Sequence, residues 1–176
     1  MTSDAGVAVL VTRSGAPADV LAIEVRTDGR FPRGVMFDEE HDHDDRYNAL
    51  TRRSITRALK KARLELSMVR HIFPHNVNLR GWLRNLSAVG LGPDQLHMQG
   101  FASIGHGFVC DPVLNLILGY PENPDGLIAL LHSNGASGWA GTAVLRLNAP
   151  LPHVMVDLSG ANKRGSSTEN HHAKAP

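Results

Sequence analysis

Apolar residues along the chain follow two periods. Residues 20–27 are apolar or alternating and rich in Val and Ile, while 68–73, 127–132 and 142–147 are short apolar runs bounded by turn residues; all four read as strands. Residues 6–12 form another Val-rich run, and Ser14-Gly15-Ala16-Pro17 predicts a turn joining it to 20–27 as an antiparallel pair. Residues 95–99 read as a short strand and 154–158 as an edge strand. Over 47–66, Ile55, Ala58, Leu59, Ala62 and Leu66 recur at helical spacing, opposite Arg52, Arg53, Arg57, Lys60, Lys61 and Arg63. A second helix is predicted over 77–89, with Trp82, Leu83 and Leu86 on its apolar side and Gly90, Gly92 and Pro93 ending it. Asp111 and Pro112 open a third, so apolar around Val113 to Leu118 that it is expected to be buried or at an interface. Strands and helices in this order predict an α/β fold, a mixed sheet with packed helices.

The composition narrows the function classes. With 176 residues, 42% hydrophobic and 20% charged, the chain can form one globular domain, expected over 1–160; the small polar residues of 161–176 read as a disordered tail. A net charge of +1 argues against a general nucleic-acid binder. The basic helix face lacks interleaved aromatics for base stacking, so it reads as a solvated face or as a surface for an acidic protein such as a carrier protein. A single cysteine, Cys110, excludes an intramolecular disulfide and multi-cysteine metal sites. No signal peptide or apolar run of membrane-spanning length is seen, so no membrane partner and a cytoplasmic location are expected. The acidic run over 38–45 mixes carboxylates and imidazoles, but no ligand spacing is defined, which favours a solvated loop over a cation site; no metal is expected.

Candidate chemistry centres on Phe73-Pro74-His75-Asn76-Val77-Asn78-Leu79-Arg80. His75 follows the strand that Pro74 ends, and Asn76 or Asn78 can cap the next helix; strand mouths beside helix starts are where α/β folds place chemistry. A second histidine, His106, lies in a glycine-bearing loop (101–107) that also opens a helix. Alone, the two mark a pocket of unassigned purpose. His97, His132 and His153 read as incidental, and His171 and His172 fall in the tail. Cys110, near a helix start, has two readings: a thiol activated by the helix dipole, or, in preference, a small packing residue.

The same residues carry a resemblance. The 73–80 stretch resembles the I-P-H-Q-A-N-L-R motif of β-ketoacyl-acyl-carrier-protein synthase III enzymes. Gly105-His106-Gly107-Phe108 through Asp111 to Asn115-Leu116 falls where that family has its Gly-Asn loop and following helix, in a form similar to a divergent branch. Residues 127–147 resemble its closing hairpin and 4–12 the first strand of its C-terminal half. Covering about residues 4 to 148, the resemblance implies the C-terminal half of a thiolase-like fold, a βαβαβαββ unit with a mixed five-stranded sheet. It implies that His75 hydrogen-bonds a substrate thioester carbonyl and that His106 stands in for an asparagine as a second donor. Gly135 falls in the oxyanion turn, where Ser137 departs from the glycine pattern, and Asn78 is grouped with it as a substrate contact. Arg80 carries over to a basic residue at the pocket mouth that meets the carrier protein or pantetheine arm. The family's nucleophilic cysteine belongs to the other half and has no counterpart here.

The resulting expectation is an acyltransferase half-site that handles an acyl-CoA or acyl-carrier-protein thioester without another cofactor. It would need a cysteine-bearing N-terminal-half chain, or self-association, to be complete. C–C, ester and amide bond formation all remain open. The alternatives are a non-catalytic carrier-binding or scaffolding subunit, and a truncated gene product.

Overall fold

A computed structural model describes residues 6–29, 40–135 and 138–151. In chain order the main elements are β1 (Ala18–Thr27), α1 (Glu40–Ala62), β2 (Val69–Pro74), α2 (Leu79–Val89), a single-turn α3 (Gly100–Ser103), α4 (Asp111–Leu118), β3 (Leu127–Gly135) and β4 (Trp139–Leu147). The strands form one mixed sheet in the order β1-β4-β3-β2. β4 is antiparallel to both β1 and β3, and β2 is parallel to β3. A parallel neighbour requires a crossover, and the segment carrying α2, α3 and α4 supplies it.

Each face of the sheet has its own core. Ile128, Leu130 and Val144 point to one face, where they meet Ile55, Ala58 and Leu59 of α1 and Leu86 of α2. Ala129, Leu145, Leu147 and Phe73 point to the other, where Leu116 of α4 and Tyr120 pack. The predicted inward stripe of α1 is thus the one buried: Ile55 and Ala58 have no exposure. Leu66 lies beyond the helix in a 3-10 turn. Asn78 caps α2 by accepting from Gly81 N–H (3.0 Å), and Gly90 ends the helix with φ at 84°.

Several expectations are corrected. Residues 6–12 are not a strand: Val9, Leu10 and Val11 are exposed, and β1 pairs directly with β4, so the described sheet has four strands where five were expected. Strand propensity expresses itself only where a partner edge and a surface to bury are available. Residues 95–99 contribute a single bridge, Leu96 to Ile72, because Gly92 and Pro93 lead into a 3-10 turn instead. The described part of α1 runs from Glu40, so residues 40–45 of the acidic run are helical and not a loop. Residues 154–158, His153 and the tail lie outside the described residues. At the edge, Glu24 of β1 turns toward α1 and receives Lys61 (2.5 Å) and Arg26 (3.0 Å), whose hydrogen bonds hold its carboxyl below the usual range.

Candidate active site

Two loops meet at the carboxyl ends of β2 and β3. His75 is fixed as β2 ends: its N–H donates to His132 O (3.1 Å), and its carbonyl accepts from the Trp82 indole of α2 (3.2 Å). The next residue, Asn76, ties this loop to the second one by donating its side-chain amide to Gly105 O (2.8 Å). Asn115 of α4 completes the clamp. Its amide donates to Pro74 O (2.7 Å) and to Asn76 Oδ1 (2.8 Å), while its oxygen accepts from Gly100 N–H (3.2 Å).

Asp111, fully buried at the start of α4, organises the His106 loop. Oδ1 accepts from Gly107 N–H (2.7 Å), and Oδ2 accepts from Asn76 N–H (2.8 Å) and from His106 Nδ1 (2.7 Å). The loop turns through positive φ at Gly105 (76°) and at Phe108 (56°), a conformation rare for a bulky side chain and seen mostly where the surroundings enforce it. The Phe108 ring lies 4.5 Å from the His106 ring, centroid to centroid.

His75 is almost fully buried, and its ring centroid is 6.1 Å from that of His106. Loss of water around it, with His132 and His106 nearby, pushes its pKa down to about 3, so it is a neutral imidazole at ordinary pH. Nε2 meets the Tyr47 hydroxyl of α1 at 3.0 Å, whereas Nδ1 is buried with no hydrogen-bond partner among the described residues. Trp82 stands edge-on to both His75 (5.4 Å) and His132 (5.2 Å).

His132, set aside as incidental on sequence grounds, is buried behind this pair. Its hydrogen bonds settle its tautomer. Thr51 donates its hydroxyl to Tyr47 O (3.0 Å) and so accepts from Asn134 Nδ2 (2.7 Å), which orients the Asn134 oxygen toward His132 Nε2 (2.5 Å). Nε2 therefore carries the proton, and Nδ1 accepts from Thr142 (2.7 Å), itself 2.7 Å from Ser54. Burial holds this imidazole neutral, with its pKa lowered to about 4. The chain of bonds runs from β4 through His132 to the backbone of Tyr47, the residue that touches His75.

A pocket of about 550 Å³ opens on these groups. His75, His106, Asn78 and Gly135 all line it, so four of the five expected site residues converge. The Asn78 oxygen is committed to the helix cap. A Cβ on Gly135 would run into the Trp139 indole, which accounts for glycine there. Arg80 is exposed and lies outside the pocket wall, where Arg84, one turn on, takes part instead. Cys110 is half-buried and also outside it, and no cysteine lines the pocket. Tyr47, Asn48 and Asn85 are lining residues without a sequence motif. Among the described residues no group of three or more metal-ligating side chains converges, and no helix is long and apolar enough to cross a membrane.

With the β-sheet order and two-loop site in view, solved structures supply the fold. 3-Oxoacyl-(acyl carrier protein) synthase III of Pseudomonas aeruginosa superposes with a TM-score of 0.64 at 21% identity, covering 76% of this chain and 45% of its own. This is a thiolase-like fold. The corresponding synthase of Aquifex aeolicus gives 0.63 at 18% identity, over 77% of this chain and 46% of its own. ChlB3, described as an acyltransferase, gives 0.66 at 17%, over 78% and 48%. The chain thus spans less than half the length of these structural neighbours. No protein-family model and no curated protein matches its sequence.

Proposed function

We propose that the pocket is the acyl-thioester half-site of a thiolase-type acyltransferase or condensing enzyme, and that a second chain bearing a nucleophilic cysteine completes it. The observation that carries this reading is the convergence of His75 and His106 on one pocket wall, with no cysteine beside them. A neutral imidazole is suited to donate an N–H to a thioester oxygen on which negative charge develops, and donors fixed in a dry pocket stabilise that charge most. His75 is such a group. Arg84 at the wall and Arg80 nearby suit the phosphates of coenzyme A or of a carrier protein's arm.

The α4 side of the sheet supports a partner. Val20, Ile23 and Val25 of β1 pair with Leu145, Ala143 and Gly141, which places them on the α4 side; yet they stay 53%, 58% and 65% exposed, because α4 packs on β2 and β3. Phe108 and Val109 add exposed apolar surface near the pocket. The match covers 45% of the Pseudomonas synthase's own length, so the other half of such a fold is the fitting occupant.

Co-purification from the native host, followed by mass spectrometry after acyl-CoA treatment, tests the assignment. The acyl adduct is expected on a partner's cysteine, and an adduct on Cys110 of the isolated chain would contradict it. Non-catalytic carrier binding, favoured by the basic face of α1, is the second reading; turnover of the complex unchanged in His75→Ala/His106→Ala would select it.

A further inference from the structure

Resting on that reading, we infer that His106 and Asp111 form a general-base dyad, so that the site passes the acyl group to a protic acceptor, an alcohol or amine, instead of decarboxylating a malonyl thioester. The geometry assigns the roles. Asp111 receives a backbone N–H on each oxygen, so it offers His106 an acceptor, and the ring proton resides on Nδ1. In the neutral ring the other nitrogen, Nε2, is then a lone pair on a side chain that lines the pocket and keeps 22% exposure. A lone pair cannot stabilise an enolate oxygen, which needs N–H donors. It can take a proton. An imidazole oriented through one nitrogen by a buried carboxylate, with the other aimed at substrate, is the arrangement general-base catalysis requires.

The reaction balances without further reagents. Nε2 removes the proton of the acceptor's O–H or N–H as that atom bonds to the thioester carbonyl carbon. The tetrahedral oxygen draws on the His75 imidazole. The C–S bond then breaks, and the imidazolium returns its proton to the departing thiolate. An acyl thioester and an alcohol or amine become an ester or amide and a free thiol.

The test joins a tautomer measurement to a substitution. In the full chain with 15N-labelled histidine, long-range 1H–15N correlation at neutral pH is expected to show His106 protonated on Nδ1 and bare on Nε2; a proton on Nε2, in the neutral or doubly protonated ring, overturns the dyad whether or not the chain binds thioesters. In the co-purified complex, acetyl-CoA with ethanolamine as acceptor is expected to yield acetylated ethanolamine. His106→Asn, which swaps the lone pair for an amide N–H, should cut this yield about 100-fold or more while raising CO2 release from malonyl-CoA, and His106→Gln serves as a second variant of similar bulk. Undiminished transfer in both variants, or CO2 release as the dominant wild-type reaction, overturns the inference alone. Loss of both reactions with no acyl-CoA bound overturns the preceding reading as well.

Discussion

His75 and His106 occupy two loops built alike, each following an apolar segment and each opening a helix, yet their surroundings differ at every atom. His75 is desolvated, edged by an indole and touched by a phenol. His106 is partly open and held by a buried carboxylate that also takes two backbone N–H groups. One environment keeps an imidazole neutral and able to donate; the other orients an imidazole through Nδ1. Two copies of one side chain acquire different hydrogen-bonding surroundings from what packs around them.

The largest test of this contrast is acid. An unfolded chain protonates its histidines below about 6.5, whereas folded His75 and His132 stay neutral until about 3 and about 4. The unfolded state therefore binds more protons in that window, and stability, complete above 6.5, falls as pH drops toward 4 and 3. By pH 5 the two groups cost on the order of 4 kcal/mol, and urea midpoints from pH 7.5 to 5 measure it. His132→Gln should flatten the slope by about half. On the other loop, Asp111→Ala strands two backbone N–H groups and the His106 Nδ1–H, and is expected to destabilise by about 3–5 kcal/mol in the same assay. Asn115→Ala, which unties the loops from each other, should cost about 2 kcal/mol. Tyr47→Phe is the mildest. It removes the hydrogen bond to His75, about 1 kcal/mol, and leaves Nε2 of His75 open to a substrate oxygen, so acetyl-CoA affinity should hold or improve in calorimetry.

Much of the scaffold was legible because its signals are local. Apolar runs marked β2, β3 and β4, Asn76 or Asn78 and then Gly90 bounded α2, and Pro112 opened α4. The 6–12 run misled because its composition favours a strand, while pairing depends on edges the sequence does not display. His75 and His106 were visible as motif residues; their partners were not. Tyr47 reaches His75 across 28 positions, and Asp111 read as a helix opener and as part of the motif, not as the partner of His106. One signal for the first was present: the inward stripe of α1 runs Tyr47, Thr51, Ser54 before turning apolar at Ile55 and Ala58, and Thr51 and Ser54 prove fully buried. A stripe that changes from apolar to small and polar marks where a helix leaves the core and meets a polar network.

That these two histidines share one acyl-thioester pocket is tested most directly by the imidazole signals of the full chain during an acetyl-CoA titration. His71 and His97, 2.6 Å apart and outside the pocket wall, are the internal control. Saturable shifts of His75 and His106, with His71 and His97 unmoved, are the predicted result. Shifts confined to His71 and His97, or none at saturating acetyl-CoA, would contradict it.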